Sequence, residues 1–294
     1  MSKIKGIYAA SMSVLNDDLT LNVKKTTEHA EMIIDNGCHG AAIFGSTGQA
    51  QLIPISEKIE LLNHLAVSKY KEKYIIGTGL NSLGDTINLM RVAKSLNFKK
   101  FLIMPPAYYK YGHEDVINFY SKIVEAIPKS EIILYNFEKL CGYKFSIECV
   151  NELVKKFPNQ IVGVKDSSYN LFENLKLDNF SILPGSESKL LKGLELGCSG
   201  IITATCNATS QLSRTVYDDF FDGKDQTVNQ NLCDVRNTFE KYNLISGLHT
   251  FYSKRNQFYK NVLPPLNILN SDDEKELISN LNKLNFSIKS LMAA

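Results

Sequence analysis

Short apolar runs alternate with amphipathic segments along most of the chain. Eight of these runs begin at Gly6, Gly40, Lys73, Lys100, Glu131, Ile161, Phe180 and Ser199. Between them, apolar residues recur at helical spacing, for instance in Val23–Asn36, Glu57–Tyr70, Asp85–Leu96, Asp115–Ala126 and Ile147–Phe157. Short runs that are apolar throughout are typical of parallel strands buried on both faces. The pattern therefore predicts a strand–helix unit that is repeated eight times.

Eight such units, over residues 5–223, predict an α/β fold of the (β/α)₈ or TIM barrel type. A doubly wound open sheet is the alternative, but it would need a phosphate-binding loop after the first strand, and Met12–Asp18 offers none. Residues 224–294 carry no strand pattern and are predicted to form about three helices, the last opening with a capping box at Ser271–Glu274. We expect these residues to form a C-terminal helical extension packed on the barrel, not an independent domain.

Composition and charge narrow the possible partners. The 294 residues are 44% hydrophobic and 22% charged, and the net charge of +2 argues against nucleic acid as a partner. Two long uncharged stretches, residues 36–56 and 196–213, are rich in polar residues and glycine, so we expect no membrane span. The six cysteines include no Cys-x-x-Cys pair, and no signal peptide is recognisable. The sequence therefore predicts a cytoplasmic protein with free thiols.

One lysine stands out at the end of the sixth predicted strand. In a TIM barrel the active site lies at the carboxyl ends of the strands. Side chains of a strand alternate between its faces, so Ile161, Gly163 and Lys165 share the face that lines the barrel. Burial there disfavours a charged ammonium, and a neutral amine can attack a ketone to form a Schiff base. The alternatives are a structural ion pair or a lysine that simply reaches the barrel mouth, and position alone leaves these interpretations open.

Tyr135 ends the fifth predicted strand, one strand–helix unit before Lys165. The two side chains are therefore expected at equivalent positions on neighbouring strands, about 5 Å apart. A phenol beside an imine-forming lysine can shuttle protons, although a tyrosine in this place can also simply cap the core. After the second strand, Gly45–Gly48 (Gly-Ser-Thr-Gly) offers hydroxyl and backbone donors that suit a small carboxylate, but it also fits an ordinary tight turn.

Sequence motifs for metal or nucleotide binding are missing. The five histidines, at positions 29, 39, 64, 113 and 249, are scattered, and neither a Walker-type loop nor a His-Glu-x-x-His motif occurs. We therefore expect no metal and no organic cofactor. The segment Pro105–Tyr109 (Pro-Pro-Ala-Tyr-Tyr) predicts a rigid loop that brings tyrosines near the barrel mouth, where they serve either the site or a subunit contact.

Taken together, these segments resemble the dihydrodipicolinate synthase / N-acetylneuraminate lyase family. The matching segments are Gly45–Gly48, Pro105–Tyr109, Tyr135–Asn136, Val162–Ser168 and Gly200–Thr205. The resemblance extends over nearly the whole chain, including the helical extension. It implies a class I lyase or synthase that handles pyruvate through a Schiff base, without metal or cofactor, and that assembles as a homotetramer built from two dimers.

The resemblance also implies roles for individual residues. Lys165 would form the Schiff base with pyruvate or another 2-oxo acid, and Tyr135 would relay protons. Ser46 and Thr47 would bind the carboxylate of the 2-oxo acid, with the Thr47 hydroxyl also in the relay. Tyr108 matches the tyrosine that family members lend across a dimer interface. Near the bound pyruvate, Ile202 would offer its backbone carbonyl.

Departures from the family pattern concern the second substrate. Leu140 stands where the synthases place an arginine that holds a carboxylate, and Lys139 beside it is a possible substitute. The sialic-acid lyases carry an Asp-Glu pair shortly after the glycine that follows strand seven. Here Gly185 is followed by Ser-Glu-Ser, so Glu187 keeps one acidic group for binding polyol hydroxyls.

We therefore expect a pyruvate-dependent carbon–carbon lyase or aldolase whose substrate is a 2-oxo-3-deoxy sugar acid or a similar hydroxylated 2-oxo acid. The first alternative is 4-hydroxy-tetrahydrodipicolinate synthase, which joins pyruvate and aspartate semialdehyde in lysine biosynthesis. A lesser alternative is a non-catalytic barrel that binds a 2-oxo acid. Retention of Lys165, Tyr135 and Thr47 together argues against this last interpretation, while the altered loop at residues 137–142 is its best support.

Overall fold

Eight parallel strands form a nearly closed barrel in the computed structural model, which describes residues 4–288. The strands are β1 (Gly6–Ala10), β2 (Gly40–Ile43), β3 (Tyr74–Gly77), β4 (Lys100–Ile103), β5 (Glu131–Asn136), β6 (Ile161–Asp166), β7 (Ser181–Pro184) and β8 (Gly200–Thr203). They are neighbours in chain order from β1 to β7, and β8 pairs with β1. The backbone N–H of Ser199 donates to the carbonyl oxygen of Ile182 at 2.9 Å and links the start of β8 to β7. Every strand begins within one residue of its predicted start, so the predicted TIM barrel is confirmed.

Helices connect the strands, with one exception. They are α1 (Val23–Asp35), α2 (Ile55–Leu65), α3 (Leu83–Ser95), α4 (His113–Ala126), α5 (Glu138–Cys141), α6 (Ile147–Lys156), α7 (Leu190–Glu195) and α8 (Cys206–Phe221). Between β6 and β7, residues 167–180 form turns and bends instead of the predicted helix. The carboxylate of Asp166 accepts hydrogen bonds from the backbone N–H groups of Tyr169, Leu171 and Phe172 at 2.9–3.0 Å, which holds this connection in turns.

The side chains of the strands divide between two apolar layers. Inside the barrel, Ile133 and Tyr135 pack with Leu183 and Ile202. Outside the barrel, Ile132 and Leu134 belong to the layer between the strands and the helices. This alternation along β5 is the one predicted from the period of two residues in a strand.

Three further helices follow the barrel and pack against its mouth. They are α9 (Asn229–Glu240), α10 (Leu244–Ser253) and α11 (Ser271–Lys283). An apolar cluster joins Met12 and Val14, in the loop after β1, to Phe239, Phe251 and Leu277 of these helices. The extension therefore packs on the end of the barrel where the strands finish. A domain boundary after residue 223 stays a prediction.

The cap of the last helix differs by one residue from the sequence-based expectation. Asn270, not Ser271, is the N-cap of α11, since its side-chain oxygen accepts from the N–H groups of Asp272 and Asp273 at 3.0 and 2.9 Å. The amide of Asn270 also donates to the carboxylate of Asp273 at 2.7 Å. Asparagine is as good an N-cap as serine, and here it lies where its oxygen reaches both donors.

Candidate active site

Lys165 and Tyr135 lie side by side at the carboxyl ends of β6 and β5. The two residues are directly paired in the register of the sheet, which confirms their predicted adjacency. The side-chain nitrogen of Lys165 lies 4.2 Å from the centre of the Tyr135 ring, and only 3% of the lysine is exposed. The face of a phenol ring attracts a lysine nitrogen when that nitrogen carries its charge. The amine is thus held in a buried place beside a group that can exchange protons.

The loop after β2 brings two hydroxyl groups to this pair. The hydroxyl of Ser46 lies 3.1 Å from the hydroxyl of Tyr135, and Thr47 beside it is 4% exposed. The Ser13 hydroxyl donates to the carbonyl oxygen of Gly48 at 2.7 Å. A Cβ atom on Gly48 would come within 2.8 Å of the carbonyl oxygen of Ser11. The glycine therefore allows the close backbone packing that holds the loop against the barrel.

Gln49 ties the same loop to the helical extension. Its side-chain oxygen accepts from the backbone N–H of Leu263 at 2.7 Å, and its nitrogen lies 3.3 Å from Nε2 of His249. Gln49 adopts a left-handed backbone conformation with φ of 55°. Because the oxygen and the nitrogen of this side-chain amide are both engaged, the segment that carries Ser46 and Thr47 has a fixed position relative to α10.

A second polar pair braces the ends of β5 and β6 behind the lysine and the tyrosine. The amide of Asn136 donates to the carboxylate of Asp166 and to Asn170, both at 2.8 Å. Its oxygen accepts from the backbone N–H of Phe145 at 3.1 Å. Both Asn136 and Asp166 are fully buried. Each follows a residue of the candidate site on its strand, so the bond between them aligns the two strand ends.

A cavity of about 490 Å³ at the barrel mouth collects most of the predicted site residues. Six of them line it: Ser46, Thr47, Tyr135, Leu140, Lys165 and Gly185. A Cβ atom on Gly185 would lie 2.2 Å from the Ser167 hydroxyl, so the glycine keeps this wall free of a side chain. Tyr169 also lines the cavity, and burial raises the pKa of its phenol, which keeps it available as a hydrogen-bond donor.

A smaller, mostly apolar recess of about 210 Å³ adjoins this cavity. The two spaces share Ser46, Tyr135, Leu140 and Ile245. Apolar side chains dominate the rest of the recess, namely Phe44, Ala50, Leu52, Leu102, Met104 and Leu266. A bound molecule can therefore extend from the lysine either along the polar cavity or into an apolar space.

Three predicted site residues do not line the larger cavity. Tyr108 is 90% exposed and lines neither cavity of its own chain, and its ring lies 5.1 Å from that of Tyr109. Its backbone has a positive φ of 87°. Ile202 is fully buried in the barrel interior, in the same apolar layer as Tyr135.

Glu187 is the third, and the structure places it outside the lining of the cavity. The residue is fully buried, and its carboxylate accepts from the hydroxyls of Thr203 at 2.8 Å and Thr209 at 3.0 Å. The same carboxylate forms an ion pair with Arg236 at 3.2 Å. These partners all belong to the protein, and the Glu187 side chain has no exposed surface. Glu187 therefore lies behind Arg236, which lines the cavity.

The helical extension contributes cavity residues that were not predicted from the sequence. Arg236, Glu240, Asn243, Leu244 and Ile245 line the cavity beside Lys165. Arg236 is only 3% exposed, although a lone arginine on a polar helix gives no sign of burial in the sequence. The spacing of Arg236 and Glu240 by four residues was the available signal, since such a pair lies on one face of a helix.

Among residues 4–288, one cluster has the composition of a cation site. It consists of His113, Glu114 and Glu152, and the Nε2 atom of His113 lies 2.8 Å from Glu152. These residues lie on α4 and α6 at the outside of the barrel and do not line the cavity around Lys165. No helix within the described part of the chain combines the length and apolarity needed to cross a bilayer.

The sequence pattern of the dihydrodipicolinate synthetase family matches residues 3–284. The chain belongs to this family. Its members are pyruvate-dependent lyases, and the chain is accordingly an enzyme of that class. The buried lysine, the paired tyrosine and the Gly-Ser-Thr-Gly loop of the family member described here lie together at the barrel mouth.

The names of related proteins describe several different activities. An uncharacterized DapA-like lyase of Chloroflexus aurantiacus is 28% identical over 76% of this chain and 78% of its own length. A 4-hydroxy-tetrahydrodipicolinate synthase of Thermus thermophilus is 30% identical over 60% of this chain and 61% of its own. A 2-dehydro-3-deoxy-D-gluconate/2-dehydro-3-deoxy-phosphogluconate aldolase of Picrophilus torridus is 25% identical over 76% of this chain and 85% of its own.

Solved structures agree with the family assignment at the level of the fold. The 4-hydroxy-tetrahydrodipicolinate synthase of Methylacidiphilum fumariolicum SolV superposes with a TM-score of 0.88 over 99% of both chains, at 22% sequence identity. The whole architecture of this dihydrodipicolinate synthetase family member, including the helical extension, is therefore shared with that protein. Fold alone does not select the substrate.

Proposed function

We propose that this enzyme is a class I aldolase that forms an imine between Lys165 and pyruvate. The observation that carries the proposal is the buried Lys165 amine 4.2 Å from the centre of the Tyr135 ring, inside a cavity at the barrel mouth. The amine attacks the C2 carbonyl of pyruvate, and water leaves. Loss of a proton from C3 then gives an enamine, and the iminium takes up the electron pair in place of a metal ion.

The enamine carbon attacks the carbonyl carbon of an aldehyde, whose oxygen becomes a hydroxyl by taking up a proton. Water then hydrolyses the imine and releases a 4-hydroxy-2-oxo acid, and the reverse sequence cleaves such an acid. Tyr135 is the proposed proton carrier, since its hydroxyl lies 3.1 Å from that of Ser46 and its ring contacts Lys165. Ser46 and Thr47 are proposed to hold the pyruvate carboxylate, next to the Ile202 carbonyl and the open wall at Gly185.

A second copy of the chain is proposed to complete the site. Tyr108 is 90% exposed and outside the cavity of its own chain, which suits a residue that enters a neighbouring site. We accordingly propose a homotetramer of two dimers, in which Tyr108 joins the proton relay of the partner subunit.

The proposed substrate is a hydroxylated 2-oxo acid of the 2-oxo-3-deoxy sugar acid class. Leu140 lines the cavity where the synthases place an arginine, and leucine cannot pair with a substrate carboxylate. The aldolase of Picrophilus torridus is named for two 2-dehydro-3-deoxy sugar acids, which supports this class. The retained alternative is 4-hydroxy-tetrahydrodipicolinate synthase. Lys139 also lines the cavity and offers one cation for aspartate semialdehyde.

The decisive experiment is trapping with pyruvate and sodium borohydride, followed by intact mass spectrometry and peptide mapping. We expect one reduced pyruvyl adduct per chain on the peptide that contains Lys165. Lys165→Ala should abolish it, while Lys139→Ala, which removes another lysine of the same cavity, should retain it. An adduct on a different lysine, or catalytic turnover that survives Lys165→Ala, would refute the mechanism.

A steady-state assay distinguishes the proposed sugar-acid aldolase from the synthase alternative. Wild-type enzyme should turn over pyruvate with D-glyceraldehyde and should be poor with aspartate semialdehyde. Efficient synthesis from aspartate semialdehyde, lost in Lys139→Ala, would establish the synthase alternative instead.

A further inference from the structure

The helical extension supplies Arg236 to the cavity wall. Carboxylates of the protein already balance the positive charge of this side chain. Nη1 of Arg236 donates to Glu187 at 3.2 Å and to the hydroxyl of Thr203 at 2.9 Å. Its Nε and Nη2 atoms donate to the two carboxylate oxygens of Glu240 at 3.4 and 3.3 Å. Two carboxylates thus hold one guanidinium. Arg236 is therefore not free to take over the carboxylate-binding task of the arginine that Leu140 replaces.

Glu240 differs from Glu187 in that it faces the cavity. Its side chain is 49% exposed and lines the space beside Lys165, whereas Glu187 is fully buried. Each oxygen of Glu240 receives one hydrogen bond from Arg236, and a carboxylate can accept about four in total. The remaining capacity points to donors from outside the protein. The other acid of the cavity wall, Glu138, is paired with Lys144 at 3.1 Å.

The charges around Glu240 disfavour an anionic group on the part of the aldehyde that lies beside this residue. Glu187, Arg236 and Glu240 carry −1, +1 and −1, so the group has a net charge of −1. A substrate carboxylate or phosphate next to Glu240 would be repelled, while alcohol hydroxyls donate readily to a carboxylate. Asn243 lines the same wall and adds a further polar side chain.

We infer that Glu240 is a specificity-determining residue that accepts hydrogen bonds from hydroxyl groups on the aldehyde part of the substrate. Arg236 is a positioning residue, since its planar fork fixes both oxygens of Glu240, and Glu187 anchors Arg236 from behind. This inference rests on the proposed aldolase function and adds the residue that selects a neutral, hydroxylated aldehyde. The acidic group toward the substrate thus comes from α9 and not from the loop after β7.

The test compares kcat/KM for D-glyceraldehyde with that for propanal, which has the same carbon chain without hydroxyls, at saturating pyruvate. Wild-type enzyme should favour D-glyceraldehyde. Glu240→Leu should lower kcat/KM for D-glyceraldehyde by about 10- to 100-fold and change that for propanal by less than about threefold. Glu240→Gln keeps one acceptor oxygen, so its kcat/KM for D-glyceraldehyde should fall between those of wild type and Glu240→Leu.

Asp234→Asn is the matched control, because it removes an acid from the same helix at a place that does not line the cavity. Its ratio of the two kcat/KM values should equal that of wild type. Arg236→Lys loses the planar fork and should lower the ratio while thermal melting confirms that the variant is folded.

Borohydride trapping of pyruvate on Lys165 should proceed equally in wild type and Glu240→Leu, since Glu240 acts on the aldehyde. Normal trapping together with an unchanged substrate ratio in Glu240→Leu would overturn this inference and leave the aldolase proposal intact. A wild-type preference for propanal would also overturn it, because the aldehyde chain would then occupy the apolar recess. Failure of wild type to trap any 2-oxo acid would instead refute the aldolase proposal itself.

Discussion

The amide of Asn136 on β5 donates a 2.8 Å hydrogen bond to the carboxylate of Asp166 on β6, one residue beyond the Tyr135–Lys165 pair. The same carboxylate accepts from three backbone N–H groups of the following turns. One buried acid therefore serves two purposes. It aligns the ends of two strands and holds the connection after β6 in turns, so the relative position of the lysine and the tyrosine depends on it.

Asp166→Ala should destabilise the protein by about 3–5 kcal/mol, because it leaves buried backbone donors and the Asn136 amide without their acceptor. Urea unfolding at neutral pH measures this loss. Asp178→Ala, at an exposed position of the same connection, is the control and should change stability by less than about 0.5 kcal/mol. Equal effects of the two substitutions would contradict the role assigned to Asp166.

Two buried histidines should make the fold sensitive to mild acid. Burial lowers the pKa of both His29 and His249 to about 4. Tyr259 connects them, since its hydroxyl lies 2.8 Å from Nδ1 of His29 and its carbonyl oxygen accepts from Nδ1 of His249 at 2.8 Å. Nε2 of His29 lies 2.8 Å from the side-chain oxygen of Asn207, which leaves only the donor role for that nitrogen. Both rings are therefore neutral in the folded protein.

The sign of the pH effect follows from these values. Between about pH 4 and pH 6.5 the unfolded chain binds more protons at these histidines than the folded chain, so stability is fully present above pH 6.5 and falls as the pH is lowered. The loss is about 2 kcal/mol per histidine at pH 5 as an upper estimate. The free energy of unfolding by urea at pH 7 and pH 5 measures it.

His249→Gln should flatten this dependence by removing one of the two titrating groups, even though it lowers stability at pH 7. The exposed His64 is the control residue, and His64→Gln should leave the difference between pH 7 and pH 5 unchanged. A His249→Gln variant with the full wild-type pH dependence would show that this ring does not titrate as proposed.

Tyr108→Phe should lower kcat by at least about tenfold without preventing the pyruvate imine, because the proposed relay loses a proton carrier. The residue is 90% exposed and does not line the cavity of its own chain, so the proposed relay takes it from a second copy. Mixed oligomers of Tyr108→Phe and Lys165→Ala should regain activity, since one site then combines Lys165 from one chain with Tyr108 from the other. Light scattering establishes the oligomeric state, and mixed oligomers that stay inactive would exclude a shared site.

Leu140→Arg should raise kcat/KM for aspartate semialdehyde by about 10- to 100-fold, since a guanidinium can pair with the carboxylate that leucine cannot hold. Leu140 is 43% exposed at the cavity wall, so a longer charged side chain fits without burial of its charge. Leu140→Met is the control for size and should give no gain. Steady-state kinetics with both aldehydes would reject this explanation if arginine and methionine had the same effect.

Local patterns in the sequence determined most of the fold of this protein and the pairing of two site residues. Apolar runs and helical spacing predicted each strand start to within one residue, because strand and helix periods are written into neighbouring positions. The same periodicity brought Lys165 and Tyr135 together. They lie one strand–helix unit apart on the same face of adjacent strands, and no other part of the chain is needed to deduce that contact.

Only the tertiary structure decided which acidic and basic residues line the cavity. Glu187 follows β7, at the end of the barrel where the cavity lies. Its carboxylate nevertheless pairs with Arg236, 49 residues later, inside the protein, and Glu240 is the exposed acid of this group. The packing of α9 on the barrel brings these residues together. Contacts between distant segments leave no period in the sequence, since they arise only when the extension docks on a barrel that local patterns have already specified.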